Sequence, residues 1–355
     1  MASPARLSVF RLRVPLRTPY RLAFGALEAF DTIVVECAGD DGRIGLGEAT
    51  VLTGYTDETI EDSWRAAREL TGQLAQLGTA ERRRRVEPLV ARRPFLATAF
   101  LTAFEMCADS PLLQLEREAR VPILAIVNAS GEDAVREEFE RLYAAGYRTF
   151  KVKVGFDVRK DLDHVACVQA VAAGRAALRV DANQAYSAQD GVAFVSALDP
   201  AGIELFEQPC RAGDWAAHLE VARAAAVPMM LDESIYGLAD IERAAELRAA
   251  AYVKVKLMKL GTLEALAQAL DRIRALGMKP VLGNGVACDI GCWMEACIAA
   301  RRVDNAGEMN GFLKPRERLL DAPLKVQEGA IRLRPGFRPR LDRERIEPYV
   351  QGVVP

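Results

Sequence analysis

From residue 121 onward the sequence repeats one pattern, a short β-branched or apolar run followed by a stretch with helical spacing of Leu, Ala and charged residues. The period is about 25 residues, the length of one strand–helix unit. Parallel strands covered by helices on both faces give such nearly continuous apolar runs. The repeat predicts a TIM-like barrel, with an open doubly wound sheet as the alternative. The predicted strands are 122–128, 148–154, 177–181, 202–207, 227–232, 252–257, 279–282 and 303–308.

The first part of the chain has a different pattern. Residues 7–14 and 31–36 have the alternation or the β-branched residues typical of strands, and 44–49 follows as a third strand, which predicts an antiparallel sheet. Helical segments continue from there to about residue 118. We therefore predict an α+β capping domain over 1–120 and a catalytic barrel over 121–323. The C-terminal segment, 324–355, is expected to pack back on the cap.

Composition limits the possible partners. The 47 Lys and Arg residues against 49 Asp and Glu give a net charge of -2, which provides no general attraction for nucleic acid or anionic lipid. No segment has the length of a membrane-spanning helix, and the N-terminal region lacks the apolar core of a signal peptide. The 7 cysteines are odd in number and lack CxxC spacing, which argues against a disulfide framework. We expect a cytoplasmic protein without nucleic-acid or membrane partners.

Charged residues stand at the carboxyl ends of consecutive predicted strands. In such barrels the active site is built at this end, where the strand ends converge. Because side chains alternate along a strand, Lys151 and Lys153 point the same way, into the barrel. The next strands end in three acids and then in two further lysines with the same spacing: Asp181, Glu207, Asp232, Lys254 and Lys256. The sequence thus places acids and lysines around one opening.

Three carboxylates that converge in a buried site need a compensating positive charge. A hard divalent cation such as Mg²⁺ binds carboxylate oxygens and leaves positions for substrate oxygens. A lysine beside a metal ion and another cation can lose its proton near neutral pH and act as a base. Any one of these residues alone would be interpreted as an ion pair or a helix cap. The ordered set on consecutive strands predicts a site that combines a metal with lysine bases.

An ordered set of motifs resembles the enolase superfamily and, within it, the muconate lactonizing enzyme subgroup: KVK at 151–153, DAN at 181–183, EQP at 207–209, DES at 232–234 and KVKLMK at 254–259. The resemblance covers most of the chain. It implies an α/β fold, a modified TIM barrel of the (β/α)₇β type with an N-terminal α+β capping domain. It also implies that the metal is Mg²⁺ or Mn²⁺.

The same resemblance implies a role for each site residue. The implied metal ligands are Asp181, Glu207 and Asp232. Lys153 and Lys256 are the implied acid/base catalysts on opposite faces of the substrate, and Lys151 polarises or orients the substrate carboxylate. A site of the mandelate racemase type has a histidine after strand seven, where this chain has 283–285 (GNG), so that type is disfavoured. The absence of an Asp-x-Asp pair at the eighth strand argues against dipeptide epimerisation.

Substrate contacts are expected from cap loops and from the strand ends. Tyr20 and Phe24 lie in one cap loop and Tyr55 in another, although the first two could equally belong to the core of the cap. Residues 307–311 resemble the cycloisomerase pattern, which points Glu308 toward the substrate, whereas 284–295 departs from the subgroup's usual sequence. The predicted substrate-binding residues are Tyr20, Phe24, Tyr55, Asn183, Asn284, Asp289 and Glu308.

The predicted reaction starts when Lys153 or Lys256 abstracts the proton α to a carboxylate, which gives an enediolate. Two bases that flank one carbon favour a racemase or epimerase of an amino-acid-like or N-acyl acid. A cycloisomerase of the muconate lactonizing type and a syn-dehydratase are the alternatives. A Schiff-base aldolase would not need three acids on consecutive strands, and a non-catalytic binding barrel would not need the lysines. We expect a small-molecule carboxylate as substrate and a homo-oligomeric assembly.

Overall fold

In the computed structural model, which describes residues 6–22, 25–39 and 41–355, the chain forms a parallel barrel sheet and an N-terminal antiparallel sheet domain. This arrangement confirms the predicted fold class. The strands are β1 (Leu7–Leu22), β2 (Gly25–Ala38), β3 (Ile44–Thr50), β4 (Ala119–Pro122), β5 (Ala125–Val127), β6 (Thr149–Lys153), β7 (Ala177–Asp181), β8 (Ile203–Glu207), β9 (Met229–Leu231), β10 (Tyr252–Val255), β11 (Lys279–Leu282), β12 (Val326–Gln327), β13 (Ala330–Leu333) and β14 (Val350–Val354). The helices are α1 (Ile60–Leu74), α2 (Thr79–Val86), α3 (Pro94–Cys107), α4 (Glu132–Ala144), α5 (Val158–Ala172), α6 (Ala188–Ala197), α7 (Trp215–Ala224), α8 (Leu238–Leu247), α9 (Leu257–Leu260), α10 (Leu263–Ala275), α11 (Asp289–Arg302) and α12 (Arg343–Ile346).

The cap is built on an antiparallel sheet with the strand order β14-β1-β2-β3. β14 comes from the far end of the chain and pairs with the outer edge of β1, where Leu12 lies opposite Val350. A separate small sheet joins β12 and β13 to β4. The C-terminal segment therefore contributes strands to two sheets. The domain boundaries at residues 120 and 323 stay a prediction.

Helix α3 connects the cap to the barrel. All of its residues are buried, as expected of a helix that is apolar on every side. The hydroxyls of Thr98 and Thr102 donate to carbonyls four residues earlier and so leave no buried donor unpaired. Near the C-terminal end of α3, the Glu105 carboxylate accepts hydrogen bonds of 2.8 and 3.2 Å from the backbone N–H groups of Leu263 and Glu264 at the start of α10. These bonds fix α3 to the barrel.

Strand β3 approaches α3 very closely at Gly47. A Cβ atom on Gly47 would lie 2.0 Å from the Ala99 carbonyl oxygen and 2.8 Å from the Ala103 backbone nitrogen. Because backbone atoms cannot rotate away, we expect Gly47→Ala to lower the free energy of unfolding by about 3 kcal/mol, the upper end of typical overpacking effects. Urea unfolding measures this change.

The matched control for Gly47→Ala is Gly72→Ala. Gly72 is exposed on α1, and a Cβ atom there would meet none of the described residues within 4 Å. Alanine at such a helical position is expected to leave stability unchanged or to raise it by up to about 1 kcal/mol. Equal unfolding free energies for the two variants would contradict the close contact between β3 and α3.

The barrel sheet is parallel, and its strands follow chain order from β5 to β11. Four of the helices that cover it begin at side-chain caps. Each capping side chain accepts a hydrogen bond from the backbone N–H three residues further on, which satisfies a donor of the first helical turn. The caps of α5, α6, α7 and α10 are Asp157, Ser187, Asp214 and Thr262. Each of these four caps marks the end of the segment that joins a strand to the capped helix. Because the strands are parallel, their carboxyl ends lie on the same side of the sheet.

The prediction of an eighth strand at 303–308 is wrong, since this described segment contains no strand. It nevertheless links the two edges of the sheet through hydrogen bonds of 2.9 Å, in which Leu124 N–H donates to Gly307 O and Glu308 N–H donates to Leu282 O. The buried Arg179 guanidinium donates to the Ala306 carbonyl at 2.7 Å. A side chain thus occupies a backbone acceptor that a regular strand would use for pairing.

Alternation of side chains divides the barrel interior into layers. The lower layer is a separate apolar cluster formed by Leu205, Met230, Tyr252 and Val281. Charged residues occupy the next inward position, two residues further along the chain from three members of this cluster. They are Glu207, Asp232 and Lys254. The apolar layer therefore closes the barrel beneath the charged groups, as packed side chains do in barrels of this type.

Two further observations concern the environment of the protein. Within the described ranges, none of the helices has the combination of length and apolarity that crossing a bilayer requires. The cysteines are free thiols, and all but Cys167 are buried.

Candidate active site

Four carboxylates meet above the apolar layer. Asp181 ends β7, Glu207 ends β8, Asp232 follows β9 directly, and Glu308 lies in the segment that links the sheet edges. Their exposed fractions are 0, 1, 1 and 4%. The register of β7 and β8 places Asp181 beside Glu207. Like charges at such burial require cations among them.

Lys151 lies among these acids. Its Nζ atom is 2.8 Å from Asp181 Oδ2, 2.9 Å from Glu207 Oε2 and 3.1 Å from Glu308 Oε2. The side chain is 2% exposed, so these ion pairs lie in a region of low dielectric where they are strong. The predicted site residue Lys151 is therefore brought together with two of the predicted metal ligands.

Lys254 supplies a second buried positive charge, for which the motif pattern predicts no separate role. Its Nζ atom is 3.0 Å from Glu207 Oε1 and 3.3 Å from Asp232 Oδ2, and it donates a short hydrogen bond to Glu308. Its two-residue spacing from Lys256 was the available signal, because both side chains then face the barrel interior. Lys259 also reaches Asp232, donating to its backbone carbonyl at 2.8 Å.

The ion pairs determine the charge states of the site. Burial alone would raise the pKa of Asp232, but the lysines around it, above all Lys256, hold that pKa well below its usual range. Burial alone would lower the pKa of Lys151, but the surrounding carboxylates, above all Asp181, raise it. The same balance raises the pKa of Lys256. Both lysines are thus protonated at neutral pH in this arrangement.

The carboxylates suit a hard divalent cation. Asp181 Oδ2 and Glu207 Oε2 are buried and have no partner in hydrogen-bonding geometry, although Lys151 is near both. Carboxylate oxygens of this kind are the ligands that Mg²⁺ prefers. Among the described residues, no three acidic, His or Cys side chains form a preassembled metal centre. Since lysine ammonium groups stand between the acids, the residues fit a metal that replaces these ion pairs.

Lys153 and Lys256 reach the site from opposite sides. Counting the linking segment as the eighth position, β6 and β10 are the second and sixth positions around the barrel, four apart. Lys153 lies 3.6 Å from Asp181 Oδ2 and donates a short hydrogen bond to the Asn183 side chain. Lys256 lies 2.8 Å from Asp232 Oδ2. A substrate carbon between them would have an amine on each face.

Tyr55 brings the cap into contact with the site. Its hydroxyl accepts a 3.2 Å hydrogen bond from Lys256 Nζ, which also lies 4.5 Å from the centre of the Tyr55 ring. Tyr236, which follows β9, donates a short hydrogen bond to the Tyr55 backbone carbonyl. The cap loop is therefore held against the barrel beside one of the predicted bases.

Tyr20 of the cap lies near Gly285 and Lys314. A Cβ atom on Gly285 would be 3.3 Å from the Tyr20 hydroxyl, 3.3 Å from Glu308 Oε1 and 3.4 Å from Lys314 Nζ. Lys314 also stands 4.5 Å from the centre of the Tyr20 ring, and no sequence signal identified it. The structure thus brings Tyr20 and Glu308 near the same glycine, and their substrate-binding roles stay predictions. Phe24 lies outside the described residues.

Two predicted substrate contacts make other bonds. Asn284 is buried, donating to Met258 Sδ at 2.8 Å and accepting from the Val286 backbone N–H at 2.9 Å. Asp289 accepts 2.9 and 3.2 Å hydrogen bonds from the backbone N–H groups of residues 319 and 320. Both side chains hold backbone or neighbouring side chains in place. Their substrate-binding roles stay predictions without support from these contacts.

Known proteins with similar sequences include racemases and epimerases. Residues 134–344 match the family model described as Enolase C-terminal domain-like. The L-Lys-D/L-Arg epimerase of Methylococcus capsulatus is 32% identical, with 70% of this chain and 73% of that protein covered. The N-succinyl-L-Arg/Lys racemase of Bacillus cereus is 23% identical, with 87% of each chain covered.

Solved structures agree with these sequence matches. The crystal structure of the N-succinyl Arg/Lys racemase from Bacillus cereus superposes with a TM-score of 0.88, covering 99% of this chain and 100% of that one at 21% identity. Muconate lactonizing enzyme from Pseudomonas fluorescens, in complex with muconolactone, gives a TM-score of 0.86 with the same coverage at 23% identity. The family model spans more than half of the chain. The protein is therefore an enzyme of the enolase superfamily and belongs to its muconate lactonizing enzyme subgroup.

Proposed function

We propose that this enzyme is a racemase or epimerase that removes and returns the proton α to the carboxylate of an amino-acid-like or N-acyl acid. The observation that carries the proposal is the placement of Lys153 and Lys256 at opposite positions of the barrel. One lysine would take the proton from one face of the α-carbon, and the other would return a proton to the opposite face. Inversion at that carbon is the direct result.

The remaining charged groups have supporting roles. Mg²⁺, held by Asp181, Glu207 and Asp232, would supply the positive charge that polarises the substrate carboxylate. Lys151 would add its own charge beside the carboxylate and balance the negative charge of the enediolate. Because Lys256 lies 2.8 Å from the Asp232 carboxylate, a cation held by that carboxylate would weaken the ion pair that raises the pKa of Lys256. A base with a pKa nearer neutrality transfers protons more effectively at neutral pH.

The relatives favour stereochemical inversion at an α-carbon. The two similar curated proteins are named as an L-Lys-D/L-Arg epimerase and an N-succinyl-L-Arg/Lys racemase. A cycloisomerase is the second candidate, favoured by Glu308, which lies within reach of the site near Tyr20. The proposed substrate contacts are Tyr20, Tyr55, Asn183 and Glu308.

Two proposals concern the setting of the enzyme. A cytoplasmic location is supported by the free thiols, because reducing conditions prevent their pairing. A homo-oligomer stays a prediction, which light scattering of the purified protein checks.

The test of the proposed function uses the Mg²⁺-loaded enzyme and a panel of free and N-acylated amino acids in D₂O. Proton NMR is expected to show loss of the α-proton signal from both enantiomers, and circular dichroism is expected to show racemisation. A cycloisomerase would instead convert a diene acid into a lactone, and a dehydratase would release an alkene. Conversion of such substrates without α-proton exchange on the amino-acid panel would contradict the proposal.

A further inference from the structure

Glu233 is a buried acid in the site that the predicted roles do not use. It directly follows the predicted metal ligand Asp232 and is 6% exposed. One carboxylate oxygen, Oε1, accepts a 3.1 Å hydrogen bond from Asn183 Nδ2. The other oxygen, Oε2, is buried and lacks any hydrogen-bond partner among the described residues. This oxygen is the one acceptor of the Lys153–Asn183–Glu233 chain that is left open.

The orientation of the Asn183 amide fixes which Glu233 oxygen is open. Asn183 Oδ1 accepts from Lys153 Nζ, so its Nδ2 group is the end that faces Glu233. The Asn183 backbone N–H donates to Asp181 Oδ1 at 2.9 Å, which holds the residue in place. The Asn183 Nδ2 group donates to Oε1 and makes no hydrogen bond to Oε2, which leaves that oxygen without a partner among the described residues.

Glu233 interacts with the surroundings of both predicted bases. Through Asn183 it is connected to Lys153. On the other side, burial is the largest influence on the pKa of Lys256 and of Tyr55, and the Glu233 carboxylate is among the charges that raise both. The Glu233 side chain is therefore linked to Lys153 through Asn183 and lies within electrostatic range of Lys256, the two residues between which the proposed function places the α-carbon.

A buried carboxylate oxygen without a donor is costly, and native structures pair nearly all such groups. We propose that Glu233 Oε2 accepts a hydrogen bond from an N–H group on the α-carbon of the substrate, either an amine or a secondary amide. The inference rests on the proposed function and narrows its substrate class. A site that offers a buried acceptor rejects an analogue that lacks the matching donor. The enzyme should therefore discriminate between nitrogen and oxygen at this position.

The experiment compares an N-acyl amino acid with its acyloxy analogue, in which oxygen replaces the N–H group while the acyl group and side chain stay the same. The Mg²⁺-loaded wild-type enzyme and Glu233→Gln are assayed for kcat/KM of α-deuterium exchange. In the variant, the Gln carbonyl is held by Asn183, so its NH₂ group occupies the place of Oε2. We expect the ratio of kcat/KM for the N-acyl substrate to kcat/KM for the acyloxy substrate to be about 10- to 100-fold lower in Glu233→Gln than in the wild type.

Glu295→Gln is the matched control. Glu295 is also buried, also has one oxygen without a hydrogen-bond partner, and uses the other oxygen to accept from the Leu257 backbone N–H at 2.9 Å. It lines a separate cavity of about 20 Å³ with Glu48 and Thr98, between α3 and α11. In Glu295→Gln, the ratio of the kcat/KM values for the two substrates is expected to equal that of the wild type.

The outcomes separate the inference from the proposed function. If wild type and Glu233→Gln exchange both substrates with the same ratio of kcat/KM values, the proposed role of Glu233 is overturned and the proposed function stands. Absence of exchange from both substrates in the wild type would refute the proposed function and the inference with it. If Glu233→Gln does not fold, the wild-type enzyme is compared on secondary and N-methylated N-acyl substrates. Equal kcat/KM for these two would overturn the inference.

Discussion

Lys153→Ala is expected to abolish α-proton exchange from one enantiomer of the substrate, and Lys256→Ala from the other. The reason is that the two amines approach the α-carbon from β6 and β10, on opposite sides of the barrel. Loss of a general base reduces the rate of the affected step by at least about 10²-fold. Proton NMR in D₂O with each pure enantiomer measures the two exchange rates separately.

Lys160→Ala provides the control for both lysine variants. Lys160 is exposed on α5, in the same strand–helix unit as Lys153, and its removal should leave both exchange rates unchanged. If Lys153→Ala and Lys256→Ala both exchange both enantiomers at the wild-type rate, neither lysine is a base. A lyase or cycloisomerase would give a third pattern, with one substitution fatal and the other causing a smaller loss.

Removal of the divalent metal by EDTA dialysis is expected to eliminate α-proton exchange while leaving the protein folded. The fold survives because lysines, among them Lys151 and Lys254, pair with the acids without a metal. Exchange stops because Lys256 stays paired with Asp232 and because the substrate carboxylate lacks its counter-ion. Mg²⁺ at about 100 times its Kd should restore activity and add about 2.7 kcal/mol of stability.

Elemental analysis, thermal unfolding and the exchange assay together check this expectation. Asp181→Asn is the informative variant, since it keeps the size of the side chain and removes one charge of the proposed ligand set. Its unfolding temperature should respond much less to Mg²⁺ than that of the wild type. Full exchange activity in protein shown to be free of metal would contradict the proposed metal site.

Strand periodicity carried most of the information about the fold. Where a strand is regular, alternation correctly places Lys151 and Lys153 on one side, and both contact Asp181. The rule stops where the strand stops. Asn183 has a positive φ of 43° beyond the end of β7, so its contact with Glu233 follows from the loop conformation and not from alternation.

Long-range contacts were the other limit of sequence-based prediction. Asp289 is an acidic residue of the kind expected in a binding site, but its carboxylate oxygens accept hydrogen bonds from the backbone N–H groups of residues 319 and 320. A long-range contact also affects the segment predicted as the eighth strand. Arg179, which lies on β7, donates a hydrogen bond to the Ala306 carbonyl in that segment. Neither partner lies near in the sequence. Local patterns therefore could not distinguish these positions from their predicted roles.

Because β14 pairs with β1, the cap sheet is completed only after the barrel has been synthesised. Leu12 is synthesised before the barrel, yet its partner Val350 is made only after the whole barrel has been synthesised. During that interval the outer edge of β1 presents unpaired backbone groups, which are a template for strands of other chains. Nascent copies on one polysome are thus exposed to swapping of β14 between neighbours, and slow translation of the barrel lengthens that exposure.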